Sequence, residues 1–202
     1  TVLTPEEYAA ARASTLNAHY TQPIVIESMY QALENIGFEK GNILEPAMGV
    51  GNFFGMLPEK MEDSKLYGVE LDSISGRIAS LLYPDANIQI KGFEKTDYPN
   101  DFFDVVIGNV PFGAYKVNDR QYEKYNFFIH DYFLAKSIDQ LRPGGVAALI
   151  TTKGTMDKAS PEVIQREFGL SKAAFKRAVG HLMKEKQVVI RDGKIWTAEK
   201  AK

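Results

Sequence analysis

The 202-residue chain contains no cysteine, and this absence excludes several classes of protein. Without thiols the chain can form no disulfide scaffold, hold no metal through thiolates and use no cysteine nucleophile. Its three histidines add no convincing metal site. No apolar run approaches the roughly 20 residues that a membrane helix needs, and no signal-like segment opens the sequence. We therefore expect a soluble, cytoplasmic protein with no membrane partner and no bound metal.

The composition is that of a globular protein, but the charge is unevenly distributed. Hydrophobic residues make up 45% of the chain and charged residues 25%, which are ordinary proportions. Residues 1–160 carry 14 Lys/Arg and 21 Asp/Glu, a net charge of -7, whereas residues 161–202 carry 10 and 5, a net charge of +5. This split indicates two modules with different partners. The basic segment suits either a polyanion or a solvated helix face.

Predicted strands and helices alternate along most of the chain. The predicted strands are Asn42–Leu44, Lys65–Val69, Asn87–Ile90, Phe103–Gly108 and Val146–Thr151. The predicted helices cover residues 4–17, Pro23 to about Asn35, residues near 51–60, Ser73–Tyr83 and residues 126–141, and a turn at 142–145 leads into the last strand. This alternation predicts right-handed crossovers and a parallel sheet, and therefore an α/β domain over residues 1–155.

A glycine-containing turn, residues 45–53, follows the first predicted strand. Gly49 and Gly51 would let the backbone approach a ligand at the carboxyl edge of the sheet, although an ordinary tight turn would use the same residues. Phe54 stands where a dinucleotide fingerprint needs its third glycine or alanine, which disfavours a pyrophosphate ligand.

Glu70 lies at the tip of the second predicted strand, about 20 residues past the glycines, where an acid can accept two ribose hydroxyls. Glu70 could instead cap the next helix, but Asp72 or Ser73 can do so equally well. We therefore expect Glu70 to be free for a ligand. A glycine turn and an acidic strand tip without a phosphate site suit an adenosine ligand that lacks phosphates, such as S-adenosylmethionine.

The fourth predicted strand ends in Asn109-Val110-Pro111-Phe112-Gly113. This segment resembles the (D/N/S)-P-P-(Y/F/W) motif of amino-group methyltransferases, except that Val110 replaces the first proline. Together with the motifs above and the segment 17–23, it makes residues 15–155 resemble the N6-adenine DNA methyltransferase family. The resemblance is strongest to the methylase portions of large phage and mobile-element proteins.

The resemblance implies a Rossmann-like S-adenosylmethionine-dependent methyltransferase sheet and a set of cofactor-binding residues. These residues are Tyr20, Thr21, Glu45, Pro46, Ala47, Gly49, Gly51, Glu70 and Phe93. The family sheet has seven strands, whereas the sequence supplies about five, so we expect a truncated sheet. A bare fifth strand would be an aggregation hazard. We expect the C-terminal segment or a second chain to cover it.

The predicted chemistry follows from the target amine. An exocyclic amine is a poor nucleophile, so a catalyst must accept its hydrogen bonds and align it with the methyl donor. The Asn109 side-chain oxygen and the Val110 carbonyl are the candidate acceptors, Pro111 shapes the loop, and Phe112 would stack on a flipped-out base. Alternatively, Asn109 caps a turn and Phe112 belongs to the core. The loop 113–125 would either contact substrate or form mobile surface.

The segment 160–202 is predicted to form a winged helix-turn-helix module. It combines two short helices with a hairpin around Asp192-Gly193, a strong turn signal. The segment resembles the C-terminal winged helix of the conserved virulence factor B RNA-binding proteins. Its exposed basic set, Lys172, Lys176, Arg177 and Lys184, would bind nucleic-acid phosphates. Otherwise the module is a protein-interaction or dimerisation wing.

Together these observations predict S-adenosylmethionine-dependent methyl transfer to the N6 amine of adenine in DNA. Two alternatives remain. One is a methyltransferase for a different amine, such as a protein glutamine side chain. The other is a non-enzymatic module with a degenerate methyltransferase fold that binds nucleic acid or a protein partner.

Overall fold

The computed structural model describes residues 4, 5, 8, 20–152, 188–191 and 194–197. The chain divides into two compact units, Thr1–Thr155 and Met156–Lys202. The first unit contains a five-stranded sheet in the order β3-β2-β1-β4-β5, in which every neighbouring pair is parallel. The strands are β1 Asn42–Glu45, β2 Lys65–Glu70, β3 Asn87–Ile90, β4 Phe103–Asn109 and β5 Leu141–Ile150. The predicted α/β fold with a parallel sheet is confirmed.

Among the described residues, one helix precedes the first strand, and three others lie between consecutive strands. They are α1 Pro23–Asn35, α2 Asn52–Gly55, α3 Ser73–Leu82 and α4 Ile129–Gln140. Three residues of α1 at helical spacing, Ile26, Tyr30 and Leu33, are buried against the central strands. Asp72 caps α3 by accepting a hydrogen bond from the Ser75 N–H at 2.8 Å, as an N-terminal aspartate should.

The centre of the sheet is apolar because its strands are covered on both faces. Ile43 and Leu44 of β1 and Val105, Val106 and Ile107 of β4 have no exposed surface. Such continuous runs of buried aliphatic residues are typical of parallel strands between helices. This packed centre holds the carboxyl ends of β1 and β4 in place. Those ends carry the polar residues discussed below.

Three predicted boundaries were wrong, each for a local reason. The helix near 51–60 stops at Gly55, because the chain meets Pro58 and continues as a 3-10 turn over Glu59–Met61. The helix over 126–141 starts only at Ile129, since Asn126 adopts a left-handed conformation with φ 54°. The turn at 142–145 is a bulge inside β5, because Leu141 already pairs with Phe103 before Val146 pairs with Val105.

β5 lies at one edge of the five-stranded sheet, and the C-terminal segment expected to cover it lies largely outside the described residues. In the second unit, β6 Val188–Arg191 and β7 Lys194–Thr197 pair antiparallel, as the predicted hairpin requires. The predicted helix over residues 4–17 is described only at residues 4, 5 and 8, where the Tyr8 N–H donates to the Thr4 carbonyl at 2.8 Å. None of the described helices has the length and apolar character to span a bilayer.

Candidate active site

Three polar side chains lie where central strands end. Glu45 is the last residue of β1, Glu70 the last of β2 and Asn109 the last of β4. In a sheet of this order, the crevice outside the carboxyl ends of β1 and β4 is where ligands bind. A cavity of about 540 Å³ occupies this position and is lined by all three residues. Its volume is that of a small-molecule site.

Most residues predicted from the sequence come together in this cavity. Its wall includes Tyr20, Thr21, Glu45, Pro46, Ala47, Gly49, Glu70, Phe93, Asn109, Val110 and Pro111. Two predicted residues are not among the lining residues. Gly51 precedes α2 with φ 86°. Phe112 is half-buried against the main core cluster, the group of buried residues that includes Leu44, Val106 and Phe133. The stacking role of Phe112 therefore stays a prediction.

Two tyrosine hydroxyls hold the glycine turn from outside the cavity. The Tyr30 hydroxyl donates to the Phe53 carbonyl at 2.9 Å, and the Tyr83 hydroxyl donates to the Gly51 carbonyl at 2.8 Å. A Cβ at Gly51 would stand 2.4 Å from the Tyr83 ring, and the positive φ there also favours glycine. Gly51 therefore shapes the turn, whereas Gly49 lines the cavity.

Asp72 caps α3, as the sequence allowed, but Glu70 already binds two backbone N–H groups. One carboxylate oxygen accepts the Gly49 N–H and the other accepts the Asp72 N–H, each at 2.7 Å. Burial raises the pKa of Glu70, and these backbone hydrogen bonds counteract part of that rise. Each carboxylate oxygen can accept a further hydrogen bond. Glu70 thus braces the glycine turn and keeps acceptor capacity towards the cavity.

Glu45 is a buried acid on the cavity wall. The residue is 2% exposed, and among the described residues its Oε2 has no hydrogen-bond partner. Burial raises the pKa of Glu45 well above the usual carboxyl range, and the charge of Glu70 raises it further. A buried acceptor without a partner is costly. This carboxyl group is therefore suited to a ligand that brings donors or positive charge.

The residue after Asn109 shows how the motif tolerates Val110. The Val110 N–H donates to the Ile150 carbonyl of β5 at 3.2 Å, a bond that a proline could not make. The Val110 side chain is 2% exposed and belongs to the main core cluster. A hydrogen bond to β5 and a buried side chain therefore anchor the start of this loop, where the family motif has the rigid ring of a proline.

Comparison with known proteins assigns the chain to a family. Residues 4–168 match the family model for N-6 DNA Methylase. The chain belongs to this family. The N-6 DNA Methylase match covers every strand of the parallel sheet and the whole cavity described above. The resemblance inferred from the sequence motifs is therefore confirmed.

Two comparisons place this chain in context. It is 34% identical over 141 residues to "Defense against restriction protein B" of Escherichia phage P1, a match that covers 67% of the chain but 6% of that protein. Its fold is similar to that of a modification subunit of a putative type I restriction enzyme from Vibrio vulnificus YJ016. That comparison has a TM-score of 0.55 at 20% identity and covers 72% of the chain and 37% of the subunit.

The C-terminal part of the chain matches a second family model. Residues 147–196 match the CvfB-like winged helix domain. The chain is also 52% identical over 44 residues to "Conserved virulence factor B" of Staphylococcus saprophyticus, covering 22% of the chain and 15% of that protein. The predicted winged helix is confirmed at the level of family. Its basic set, Lys172, Lys176, Arg177 and Lys184, lies outside the described residues.

Some cavity residues of this chain were not predicted individually. Among them are Leu71, Lys91, Tyr115, Val117, Ile129 and Phe133. Leu71 follows Glu70 directly, and its place beside the predicted acidic strand tip was the signal available in the sequence. The structure shows it 74% exposed. Tyr115 and Val117 belong to the loop 113–125, for which contact with substrate was one of the two expectations. Lys91 and the α4 residues Ile129 and Phe133 come from segments remote in sequence, and only the fold brings them to the cavity.

Proposed function

We propose that this chain transfers a methyl group from S-adenosylmethionine to the N6 amine of adenine in DNA. The observation that carries the proposal is that Glu45, Glu70 and Asn109 line one cavity at the carboxyl ends of three adjacent strands. Membership of the N-6 DNA Methylase family supports both the reaction class and the DNA substrate.

The cavity residues fit the proposed cofactor. Bound S-adenosylmethionine would supply an activated methyl group on a positively charged sulfonium. Glu45 offers a buried carboxylate oxygen that no described residue satisfies, which suits a cationic ligand. Glu70 offers acceptor capacity for ribose hydroxyls, and Phe93 and Leu71 add apolar side chains to the wall. The absence of the third glycine after Gly51 agrees with a ligand without pyrophosphate.

Asn109 and Val110 would hold the target amine. Asn109 is the last residue of β4 and Val110 follows it, and both line the cavity. The Asn109 side-chain oxygen and the Val110 carbonyl are the proposed acceptors. Acceptors fixed on a rigid strand end can orient the two amine hydrogens, which directs the nitrogen lone pair towards the methyl donor. Tyr115, which is 54% exposed and lines the same cavity, provides an aromatic ring for a base beside it.

The first test is a calorimetric titration of S-adenosylmethionine into the purified chain and its E70A variant. We expect the wild-type chain to bind and E70A to bind at least about tenfold more weakly, or 1.4 kcal/mol, because E70A removes both the acceptor and the brace on Gly49. E62A is the matched control, since Glu62 is exposed and lies outside the cavity. Absence of wild-type binding, or equal binding by E70A, would overturn the cofactor assignment.

The substrate is tested by supplying S-adenosylmethionine with a labelled methyl group to the chain together with DNA or with protein. We expect label on the N6 atom of adenine in DNA. Label that appears only on protein would identify the alternative amine substrate. Cofactor binding without transfer to either polymer would favour the non-enzymatic alternative.

We further propose that the winged helix module holds nucleic acid. The match of residues 147–196 to a winged helix domain supports this, as does the net charge of +5 over residues 161–202. We expect K176A/R177A to weaken DNA retention. The slope of log K against log salt should become shallower by the amount that corresponds to about two lost phosphate contacts. Unchanged retention and slope, measured by fluorescence anisotropy at several salt concentrations, would assign the DNA-binding face elsewhere.

A further inference from the structure

A buried lysine lies directly behind the cavity wall. Lys136 of α4 is 6% exposed, although lysine is rarely buried without a partner. Its ammonium group lies 2.8 Å from the Phe93 carbonyl, 3.4 Å from the Thr96 carbonyl and 3.3 Å from Asp119 Oδ2. A lysine ammonium has three N–H donors, so these three acceptors match its donors.

The partners of Lys136 belong to two different parts of the site. Phe93 lines the cavity and is one of the predicted cofactor-binding residues, and the Lys136 ammonium lies 5.1 Å from the centroid of its ring. Asp119 belongs to the loop that follows the Asn109–Gly113 motif, and this loop carries the cavity residues Tyr115 and Val117. One ammonium group therefore links the cofactor side of the cavity to the loop on its substrate side.

Asp119 is held tightly at its end of this link. It accepts a hydrogen bond from the Tyr132 hydroxyl at 2.7 Å, and its other oxygen accepts the Gln121 N–H at 3.1 Å. Burial alone would raise the pKa of Asp119, but the Tyr132 hydroxyl and the Lys136 charge outweigh burial and lower that pKa. The carboxylate thus stays ionised beside the ammonium, which is the condition for a stable buried pair.

The same face of α4 contributes to both the cavity and the link. Ile129 and Phe133 line the cavity, and Lys136 follows Phe133 by three residues, which places all three on one side of the helix. Packing alone would be satisfied by an apolar side chain here, and a buried ion pair is often no more stable than its apolar replacement. The cost of burying this charge points to a role beyond packing.

We propose that Lys136 is a positioning residue, which with Asp119 couples the Phe93 wall of the cofactor site to the loop Gly113–Asn126. When the cofactor orders the Phe93 wall, the link holds the loop with Tyr115 in place for the substrate. The inference rests on the proposed cofactor site and does not depend on which amine is methylated.

The test is a double-mutant cycle on S-adenosylmethionine affinity, measured by calorimetry in the full chain. D119A removes a carboxylate that does not line the cavity, and K136M removes the ammonium. We expect each to weaken binding by at least about fivefold, and D119A/K136M to be no weaker than K136M alone, because both break one link. Y132F is a milder variant that keeps the ring, and K124M, at an exposed lysine of the same loop, should bind like the wild type.

Hydrogen exchange gives a second readout that needs no cofactor. We expect D119A to accelerate exchange not only in the loop but also at Lys95 and Thr96, whose N–H groups donate to the Gly92 and Phe93 carbonyls. Additive losses in the cycle, or faster exchange confined to the loop, would overturn the proposal. Failure of the wild-type chain to bind cofactor would instead contradict the proposed function, and the exchange experiment would still decide whether the link exists.

Discussion

Replacing Asn109 by alanine is expected to lower the rate of methyl transfer at least about 100-fold, as loss of one preorganised polar contact in an active site typically does. The side chain stands at the end of the rigid strand β4, and it is the acceptor proposed to orient the amine. Affinity for S-adenosylmethionine should stay within about threefold of the wild type, since Glu45 and Glu70 remain. Single-turnover transfer of labelled methyl to DNA measures the rate, and calorimetry measures the affinity.

Two further variants make this experiment specific. N109D keeps a side-chain oxygen at the same position and should retain more activity than N109A. N118A removes the same amide from an exposed position of the neighbouring loop and should behave like the wild type. If N109A transferred methyl groups at the wild-type rate, Asn109 would have only a structural role at the strand end.

Replacing Glu45 by glutamine is expected to remove the pH dependence of cofactor binding. Burial first, and then the charge of Glu70, raises the pKa of Glu45, so the free protein holds a proton there above the usual carboxyl range. A cationic ligand favours the ionised form, so binding releases this proton and affinity should rise with pH until Glu45 is ionised in the free protein. Above that point, E45Q should bind at least about tenfold more weakly than the wild type.

Calorimetry in two buffers of different ionisation enthalpy measures the released proton directly. We expect proton release from the wild type and from E62Q, an exposed control, and none from E45Q. Equal release by E45Q would show that another group titrates, and the nearby candidate is Glu70, whose pKa burial also raises.

The stability of the ligand-free protein should change with pH in the opposite direction. The folded state holds the Glu45 proton more tightly than the unfolded state, so this group stabilises the fold most at low pH. That contribution is lost as pH rises from the unfolded value of 4.5 through the raised folded pKa. E45Q should lack this loss, which urea unfolding at several pH values would show.

The positions of the strands could be predicted because local pattern and tertiary structure agree there. Asn87–Ile90 was predicted residue for residue, and the other four parallel strands overlap their predicted ranges. Short apolar runs bounded by glycine, asparagine and aspartate are what buried parallel strands require. Boundaries failed where one local feature overrode the pattern, as at Pro58 and Asn126.

The candidate site was predictable where each residue follows a strand end in sequence. Glu45, Glu70 and Asn109 are the last residues of their strands, and parallel strands bring such residues to one edge. The hydrogen bond from the Gly49 N–H to Glu70 was not predictable, because Gly49 lies on a different strand-to-helix turn. The anchoring of Val110 by the Ile150 carbonyl likewise depends on how β4 pairs with β5.

The sequence by itself determined the α/β class, the family and the residues that meet at the sheet edge, because these depend on the order of short motifs along the chain. Only the tertiary structure decided that the pKa of Glu45 is raised, that Glu70 braces the glycine turn and that Lys136 is buried. The physical reason is that these properties depend on burial and on partners remote in sequence. Phe93, Asp119 and Lys136 are separated by 17 to 43 residues, yet one ammonium group joins them.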